Sequence, residues 1–392
     1  MSSRRRIPRV ALLVETTRTY TRELLAGVRR YVAAHGPWST FLELRALDSS
    51  PPAWLRNWDG DGILTRTFTK ETANLIAATG LPAVELRSTN FNTNLPSIGV
   101  DNHLMGRMVA EHFIERGYRQ FGAYSLHTEA FFEERVRNFT STVESHGCIC
   151  SLLPETTSDS AADWEMSQTR LIAWLSNLPK PIGIFAANDQ LGVRLLDACQ
   201  RAGIGVPEDV AVVGAENEET LCDFATPPLT SVRFDGHTVG YRAAELLDGL
   251  MRGRSPRKRK ILIPPKGIVV RASSDELVIH DRLVANAVRL IRENIGSGFN
   301  VDDLCRKLNA SRSTLDRRMK AALKRTPKGE ILRVRFREVK RLLRETDLTV
   351  DAIAAQTGFA HSHYLHAAFK ESHGHTPGEF RRSEKPPTRS AG

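Results

Sequence analysis

Cysteine is scarce: five residues in 392 (Cys148, Cys150, Cys199, Cys222, Cys305), with no pair at Cys-x-x-Cys spacing. So few thiols in so long a chain build no disulfide framework and no thiolate zinc site. Long apolar runs are missing too, so no membrane-spanning helix of about eighteen residues can be drawn. The opening MSSRRRIPRVALLVET is basic, yet it has neither a signal-peptide core nor a small-residue cleavage site. The expectation is a protein of the reducing cytoplasm, without a membrane partner. The motifs of catalysis are absent as well. Gly203-Ile204-Gly205 runs into Val206-Pro207, with neither a third glycine nor Gly-Lys-Ser/Thr, so it cradles no phosphate. There is no Gly-x-Ser-x-Gly elbow. The histidines His361, His363, His366, His373 and His375 have no cysteine or carboxylate at ligand spacing. Neither an enzyme, a cofactor nor a metal is expected.

What is present suits a globular chain of two or three domains, 41% apolar and 26% charged. The net charge of +10 is unevenly placed. From Asp281 onward there are 23 Lys and Arg against 13 Asp and Glu; the preceding 280 residues hold 32 of each. A neutral body with a basic end suggests a polyanion partner for that end alone, the alternative being a solvated basic surface.

Self-similarity separates the two. Val301–Lys320 reads VDDLCRKLNASRSTLDRRMK and Val350–Lys370 reads VDAIAAQTGFAHSHYLHAAFK. Each opens on Val-Asp, places an apolar residue at one helical offset (Leu304, Ile353), turns, and closes on an apolar pair and a lysine. The spacing predicts two helix-turn-helix units with turns of three or four residues. Between them, Ile331, Val334, Val339, Leu342 and Leu343 predict one amphipathic connecting helix over Glu330–Arg344. Units so tied can enter successive major grooves, roughly 34 Å apart. The second helix of each carries the expected base readout: Arg312, Ser313, Asp316 and Arg317, then Ser362, His363 and His366. Arg318, Lys320, Lys324, Arg325, Lys370 and Arg381 are expected to meet phosphates or water.

These residues carry a resemblance. Ile353-Ala354, Gly358-Phe359, Phe369-Lys370 and Thr376-Pro377 with Phe380-Arg381 resemble the second repeat of the arabinose-regulator (AraC/XylS) DNA-binding domain. Two positions depart from that pattern: Ala367 where arginine is common, and Val339 where alanine is usual.

Residues 7–275 alternate short apolar runs with amphipathic stretches. The runs include Arg9–Val14, Gly62–Leu64, Ala83–Leu86, Ser97–Val100, Gly122–Tyr124, Ile182–Ala186, Val210–Val213 and Ile261–Ile263. This alternation predicts doubly wound parallel sheets, whose ligands bind at the carboxyl ends of the strands. The loops there carry Thr17, Arg18, Tyr20, Asp101, Asn102, Asn188, Asp189, Glu216 and Asn217. Carboxylates, amides and an aromatic face suit a polyol.

The body resembles the effector domain of the lactose-repressor family, akin to periplasmic sugar-binding proteins. The resemblance rests on Val100-Asp101-Asn102, Arg135-Val136-Arg137-Asn138-Phe139, Ala187-Asn188-Asp189 and Val206-Pro207-Glu208-Asp209-Val210. It implies two lobes joined by three crossings, with Arg135, Asp189, Glu216 and Asn217 at the ligand beside Arg18, Tyr20 and Asp101. Asn138 stands at a position usually glycine, and Glu216 at one usually aspartate.

The expected architecture is therefore a two-lobed α/β sensor at 1–275, a linker at 276–285, an all-α double helix-turn-helix domain at 286–384 and a disordered tail at 385–392. Such a sensor joined to such a reader is similar to sugar-operon activators. That similarity implies a homodimer on double-stranded promoter DNA, engagement of RNA polymerase, and an aldopentose effector, xylose first among them. The segment Gly267–Asp281 is the expected relay. A sugar-binding protein or a pentose-metabolising enzyme without sequence-specific DNA binding stands as the alternative.

Overall fold

Buried apolar strands flanked by amphipathic helices organise the first part of the chain, and short capped helices the second. A computed structural model describes residues 6–43, 50–87, 94–126, 130–153, 164–256, 258–276, 278 and 281–384. The expected tail at 385–392, and residues 277, 279 and 280 of the expected linker, lie outside the described residues. The chain divides into two compact units, Met1–Val278 and Ile279–Gly392.

The first unit contains two six-stranded sheets. In the first sheet, β1 (Arg9–Leu13), β2 (Ser39–Leu42), β3 (Gly62–Thr65), β4 (Ala83–Glu85), β5 (Ser97–Val100) and β11 (Lys260–Ile263) lie in the order 11-5-4-3-1-2. The second sheet has β6 (Gln120–Tyr124), β7 (Ile149–Leu152), β8 (Ile182–Ala186), β9 (Val210–Glu216), β10 (Thr230–Arg233) and β12 (Gly267–Val269), in the order 12-10-9-8-6-7. All pairings are parallel except β10 with β12. Strands β3 and β8 are buried along their whole length, as parallel strands covered on both faces must be.

Each sheet begins a lobe, and the chain crosses between lobes three times: at Asp101 after β5, at Phe234-Asp235 after β10, and at 264–266 between β11 and β12. Helices α1 (Thr19–His35) and α8 (Gly236–Met251) pack together on the first lobe. Helices α3 (Asn102–Glu115), α4 (Ala130–Ser145), α5 (Trp164–Asn177), α6 (Asp189–Arg201) and α7 (Glu219–Phe224) serve the second, while α2 (Lys70–Thr79) packs in the first.

The second unit is helical among its described residues: α9 (Arg282–Glu293), α10 (Val301–Leu308), α11 (Arg312–Leu323), α12 (Pro327–Glu345), α13 (Val350–Gln356), α14 (Ser362–His373) and α15 (Pro377–Glu384). The sequence writes each start. Asn300 and Asp303 form a capping box for α10, Ser311 caps α11, and Thr326 caps α12 with Pro327 next. Two cores result. Val284, Leu304, Leu315 and Met319 pack with Ile331 and Val334; Ile353, Leu365 and Phe369 pack with Phe336, Val339 and Leu343. Helix α12 thus contributes one end of its apolar stripe to each helix-turn-helix unit.

The turns differ slightly from expectation. The first, 309–311, has the predicted three residues, but the second spans five, 357–361. The Thr357 hydroxyl donates back to the Ile353 carbonyl at 2.7 Å as α13 ends, and Gly358 then turns at φ +75°. A Cβ there would meet the Ile295 carbonyl at 2.4 Å, so glycine is required.

Candidate functional site

The residues expected at function fall on two surfaces, one in each unit. In the first unit, the carboxyl ends of β1, β3 and β4 face those of β8 and β9 across the cleft between lobes. Arg135, on α4, is buried at 4% exposure among hydrogen-bond acceptors. It donates to the Ala187 carbonyl at 2.7 Å, to Asn102 Oδ1 at 3.1 Å and to Glu216 Oε1 at 3.2 Å. Its guanidinium also lies 4.6 Å from the Phe131 ring centroid and 5.0 Å from that of Phe234.

Glu216 closes β9, and its other oxygen accepts from Arg18 Nη1 at 3.2 Å. Burial opposes its ionisation, but Arg18, then Arg135, then Arg66 hold its carboxyl below the ordinary range. Its backbone is at φ +101° and that of Asn217 at +50°, conformations that non-glycine residues adopt at a cost of about 1–3 kcal/mol. The next residue extends the bridge. Glu218 accepts from the Thr19 amide at 2.7 Å and from the Thr19 hydroxyl, placing a carboxylate at the N-terminus of α1.

Two cavities adjoin this bridge. One, of only about 30 Å³, is lined by Tyr20, Arg66, Arg87, Asn102, Phe131, Arg135, Glu216 and Phe234. The other, about 370 Å³, is lined by Thr17, Arg18, Asn188, Asp189, Glu216, Glu218 and Phe224. Tyr20 is buried edge-on against Phe234, with ring centroids 5.5 Å apart, and burial raises its phenol pKa.

Of the seven sensor residues expected from sequence, Arg18, Tyr20, Arg135 and Glu216 converge on these cavities and Asp189 lines the larger. The Asp189 carboxylate accepts from Ser231 Oγ at 2.5 Å and from the Glu218 amide at 2.8 Å. Burial raises its pKa to about 7. The other two serve the scaffold. Asp101 caps α3, accepting from the Leu104 amide at 2.9 Å. Asn217 turns to Arg271, which donates to its Oδ1 at 2.9 Å.

Sequence reasoning passed over Arg66, Arg87, Glu15, Glu85 and Phe131. The signal was present: Arg66 directly follows β3, and Arg87 closely follows β4, where ligands of such sheets bind.

In the second unit, Arg312, Ser313 and Arg317 stand exposed on α11 with Asp316 half-buried beside them; Leu315 and Met319 face inward. On α14, His363 is exposed, Ser362 and His366 are half-buried, and Leu365 and Phe369 are interior. Both sets therefore lie on the outer faces of their helices. Tyr364, 57% exposed, joins the second set, with its ring centroid 4.2 Å from that of His363.

The three arginines expected at phosphates or water also have acceptors within the unit. Arg318 forks onto Asp281, the cap of α9, at 2.6 and 2.7 Å. Arg381 donates to the Leu343 and Leu348 carbonyls at 3.4 and 2.6 Å, and Arg325 to Glu330 at 3.2 Å. In each case an acceptor stands within reach, invisible in the local sequence.

Residues 110–274 match the periplasmic binding protein-like domain family, and residues 304–383 match a helix-turn-helix domain family. The xylose operon regulatory protein of Haemophilus influenzae is 30% identical over 381 residues, covering 95% of this chain and 98% of that protein. Its counterpart in Escherichia coli K12 is 28% identical over 385 residues, covering 95% and 96%. The solved structure of the xylose-binding transcription activator XylR superposes with a TM-score of 0.76 at 27% identity, covering 97% of this chain and all of that one. The chain belongs to the family of xylose operon regulatory proteins. It is a DNA-binding transcriptional regulator, not an enzyme, and its larger unit has the fold of a sugar sensor. Among the described residues no helix is long and apolar enough to cross a membrane, and no cluster of three potential metal ligands occurs.

Proposed function

We propose that this regulator senses a pentose in the interlobe cleft and thereby controls pentose-utilisation genes, as an activator. The observation that carries the reading is the bridge Arg135–Glu216–Arg18, which ties the lobes at the carboxyl ends of both sheets. A ligand that exchanges hydrogen bonds with these groups changes how strongly the closed arrangement is favoured. Sensing requires that difference to be about 1–3 kcal/mol between the two states. Arg18, Tyr20, Arg135, Asp189 and Glu216 form the effector set. Asp101 and Asn217 support it from the scaffold.

The reading faces are Arg312, Ser313, Asp316 and Arg317 on α11, with Ser362, His363 and His366 on α14. The two units address successive major grooves of promoter DNA. A homodimer, contact with RNA polymerase and a cytoplasmic setting accompany this reading. Xylose, the sugar named in the relatives, is the first effector to test.

The test is a thermal-shift panel of aldopentoses and hexoses on the full chain, paired with promoter-DNA binding followed by fluorescence anisotropy. An effector at about a hundred times its Kd stabilises the sensor by roughly 2.7 kcal/mol and alters DNA affinity. Arg135→Ala is expected to abolish that response and retain basal DNA binding. A response that survives in this variant would remove Arg135 from the effector set.

A further inference from the structure

The second helices of the two reader units differ in chemistry. Helix α11, RSTLDRRMKAAL, presents Arg312 and Arg317 exposed on its outer face. Helix α14, SHYLHAAFKESH, has no Arg, Asn or Gln at any position, so it lacks the side chains that read guanine or adenine bidentately. Lys370 is exposed but stands about two turns into the helix, whereas the N-terminal residues of such a helix are the ones that meet base edges. The exposed side chains at that end are His363, Tyr364 and Ala367, with His361 at the N-cap position. Ser362 and His366 lie half-buried among them.

The rings form one surface. His361 and His363 are stacked, with centroids 5.4 Å apart and planes 10° apart. Tyr364 lies 4.2 Å from His363 and 6.1 Å from His361, centroid to centroid. Ala367 follows both His363 and Tyr364 by one turn, on the same face. Tyr364 is 57% exposed, and among the described residues of the second unit no other large apolar side chain is exposed. A lone exposed ring is ordinary on a protein surface, but three adjoining rings at the start of a reading helix are a patch with a place to go. The core beneath is already closed by Leu365 and Phe369, so the patch adds nothing to it. In the major groove the apolar feature is the 5-methyl group of thymine, which alanine and aromatic side chains contact. Histidine hydrogen bonds discriminate less, because a neutral imidazole offers one donor and one acceptor in either tautomer.

We infer that α14 recognises thymine through its 5-methyl group, with His363, Tyr364 and Ala367 as the contacting residues. The two halves of the DNA site are then read by unlike chemistry: guanidinium hydrogen bonds from α11 and methyl contacts from α14. This rests on the reading of α14 as a base-contacting helix.

Base analogues test it. A site is selected from random duplex DNA with the full chain, with and without D-xylose, and thymine is then replaced by uracil in one recognised block at a time. The replacement removes the 5-methyl group and leaves the hydrogen-bonding edge unchanged. By fluorescence anisotropy, uracil in one block is expected to weaken binding by about fourfold for each methyl contacted. The combined variant His363→Ala, Tyr364→Ala is expected to abolish that loss, whereas Tyr364→Phe keeps it. Both positions are exposed, so the fold is expected to survive. Uracil tolerated in every block overturns thymine recognition; 7-deazaguanine that then weakens both blocks leaves α14 standing as a base-contacting helix. A uracil effect that persists undiminished in the combined variant overturns thymine recognition by α14. Selection of a single block, indifferent to the combined variant, overturns both the thymine contact and the reading of α14 on which it rests.

Discussion

Glu216 lies between Arg135 and Arg18, each of its carboxylate oxygens 3.2 Å from a different guanidinium. Arg18 follows a strand of one lobe and Arg135 sits on a helix of the other, so one side chain at the end of β9 ties the lobes together. Its pKa is lowered in the folded protein, so its contribution to stability is present above the ordinary glutamate range and is lost as pH falls through the folded value. Glu216→Gln is expected to weaken the sensor at neutral pH and to flatten the acid limb of its stability curve. Removal of one member of such a pair costs about 3–5 kcal/mol when fully buried, less here because Glu216 retains 14% exposure. Urea unfolding between pH 3 and pH 7 measures both. An unchanged acid limb would show that the bridge contributes nothing to closure.

Glu85 has the opposite sign. Its folded pKa, about 7, lies above the unfolded value, so the folded state binds the extra proton between about pH 4.5 and pH 7. Sensor stability is therefore expected to fall as pH rises through that window, by on the order of 3 kcal/mol from this residue. Asp189, also raised to about 7, adds in the same direction. Glu85→Gln should flatten the slope, leaving the part due to Asp189. A wild-type sensor equally stable at pH 5 and pH 8 would contradict the assignment.

Helices α1 and α8 cross through glycine. A Cβ on Gly240 would stand 2.0 Å from the Leu24 carbonyl oxygen, and one on Gly27 2.2 Å from that of His237. Both obstacles are backbone and cannot step aside. Gly249, on the same helix α8, has nothing within 4 Å of such a Cβ. Gly249→Ala is therefore expected to stabilise the sensor by about 0.5–1 kcal/mol, through helix propensity. Gly240→Ala should destabilise it by about 3 kcal/mol, as the helices are forced apart. Thermal unfolding of the two variants gives opposite signs if the crossing is as close as described.

The sequence pattern disclosed what depends on local periodicity. The expected runs at Ser97–Val100 and Ile182–Ala186 are β5 and β8 to the residue, and the second helices of both reader units are α11 and α14. Four strands escaped it. β2 and β7 lie at sheet edges with largely exposed residues, so no apolar run marks them. β10 and β12 are short and carry Thr, Ser, Arg and Gly, and are strands only because β9 and each other supply the pairing. The same distinction divides the site. Arg135 and Glu216 were legible through resemblance and position, whereas the use of Asp101 as a helix cap and of Asn217 by Arg271 depends on partners that only the fold brings near.

Arg317 and Arg318 are neighbours in sequence with different work. Arg317 is exposed on the outer face of α11, while Arg318 forks onto Asp281 and fixes the start of α9. Asp281 has its pKa lowered by that contact first and by the Val284 and Leu283 amides as well, so the link weakens only in acid. Arg317→Ala is expected to cost roughly 1–3 kcal/mol on the preferred DNA site and to relax sequence preference at one position. Arg318→Ala should leave both that preference and the salt dependence of binding unchanged, and should instead lower the melting temperature of the reader. Binding measured across a salt series separates the two, because loss of a phosphate contact reduces the slope by about one and loss of a structural fork does not. A reduced slope for Arg318→Ala would return that residue to the DNA surface.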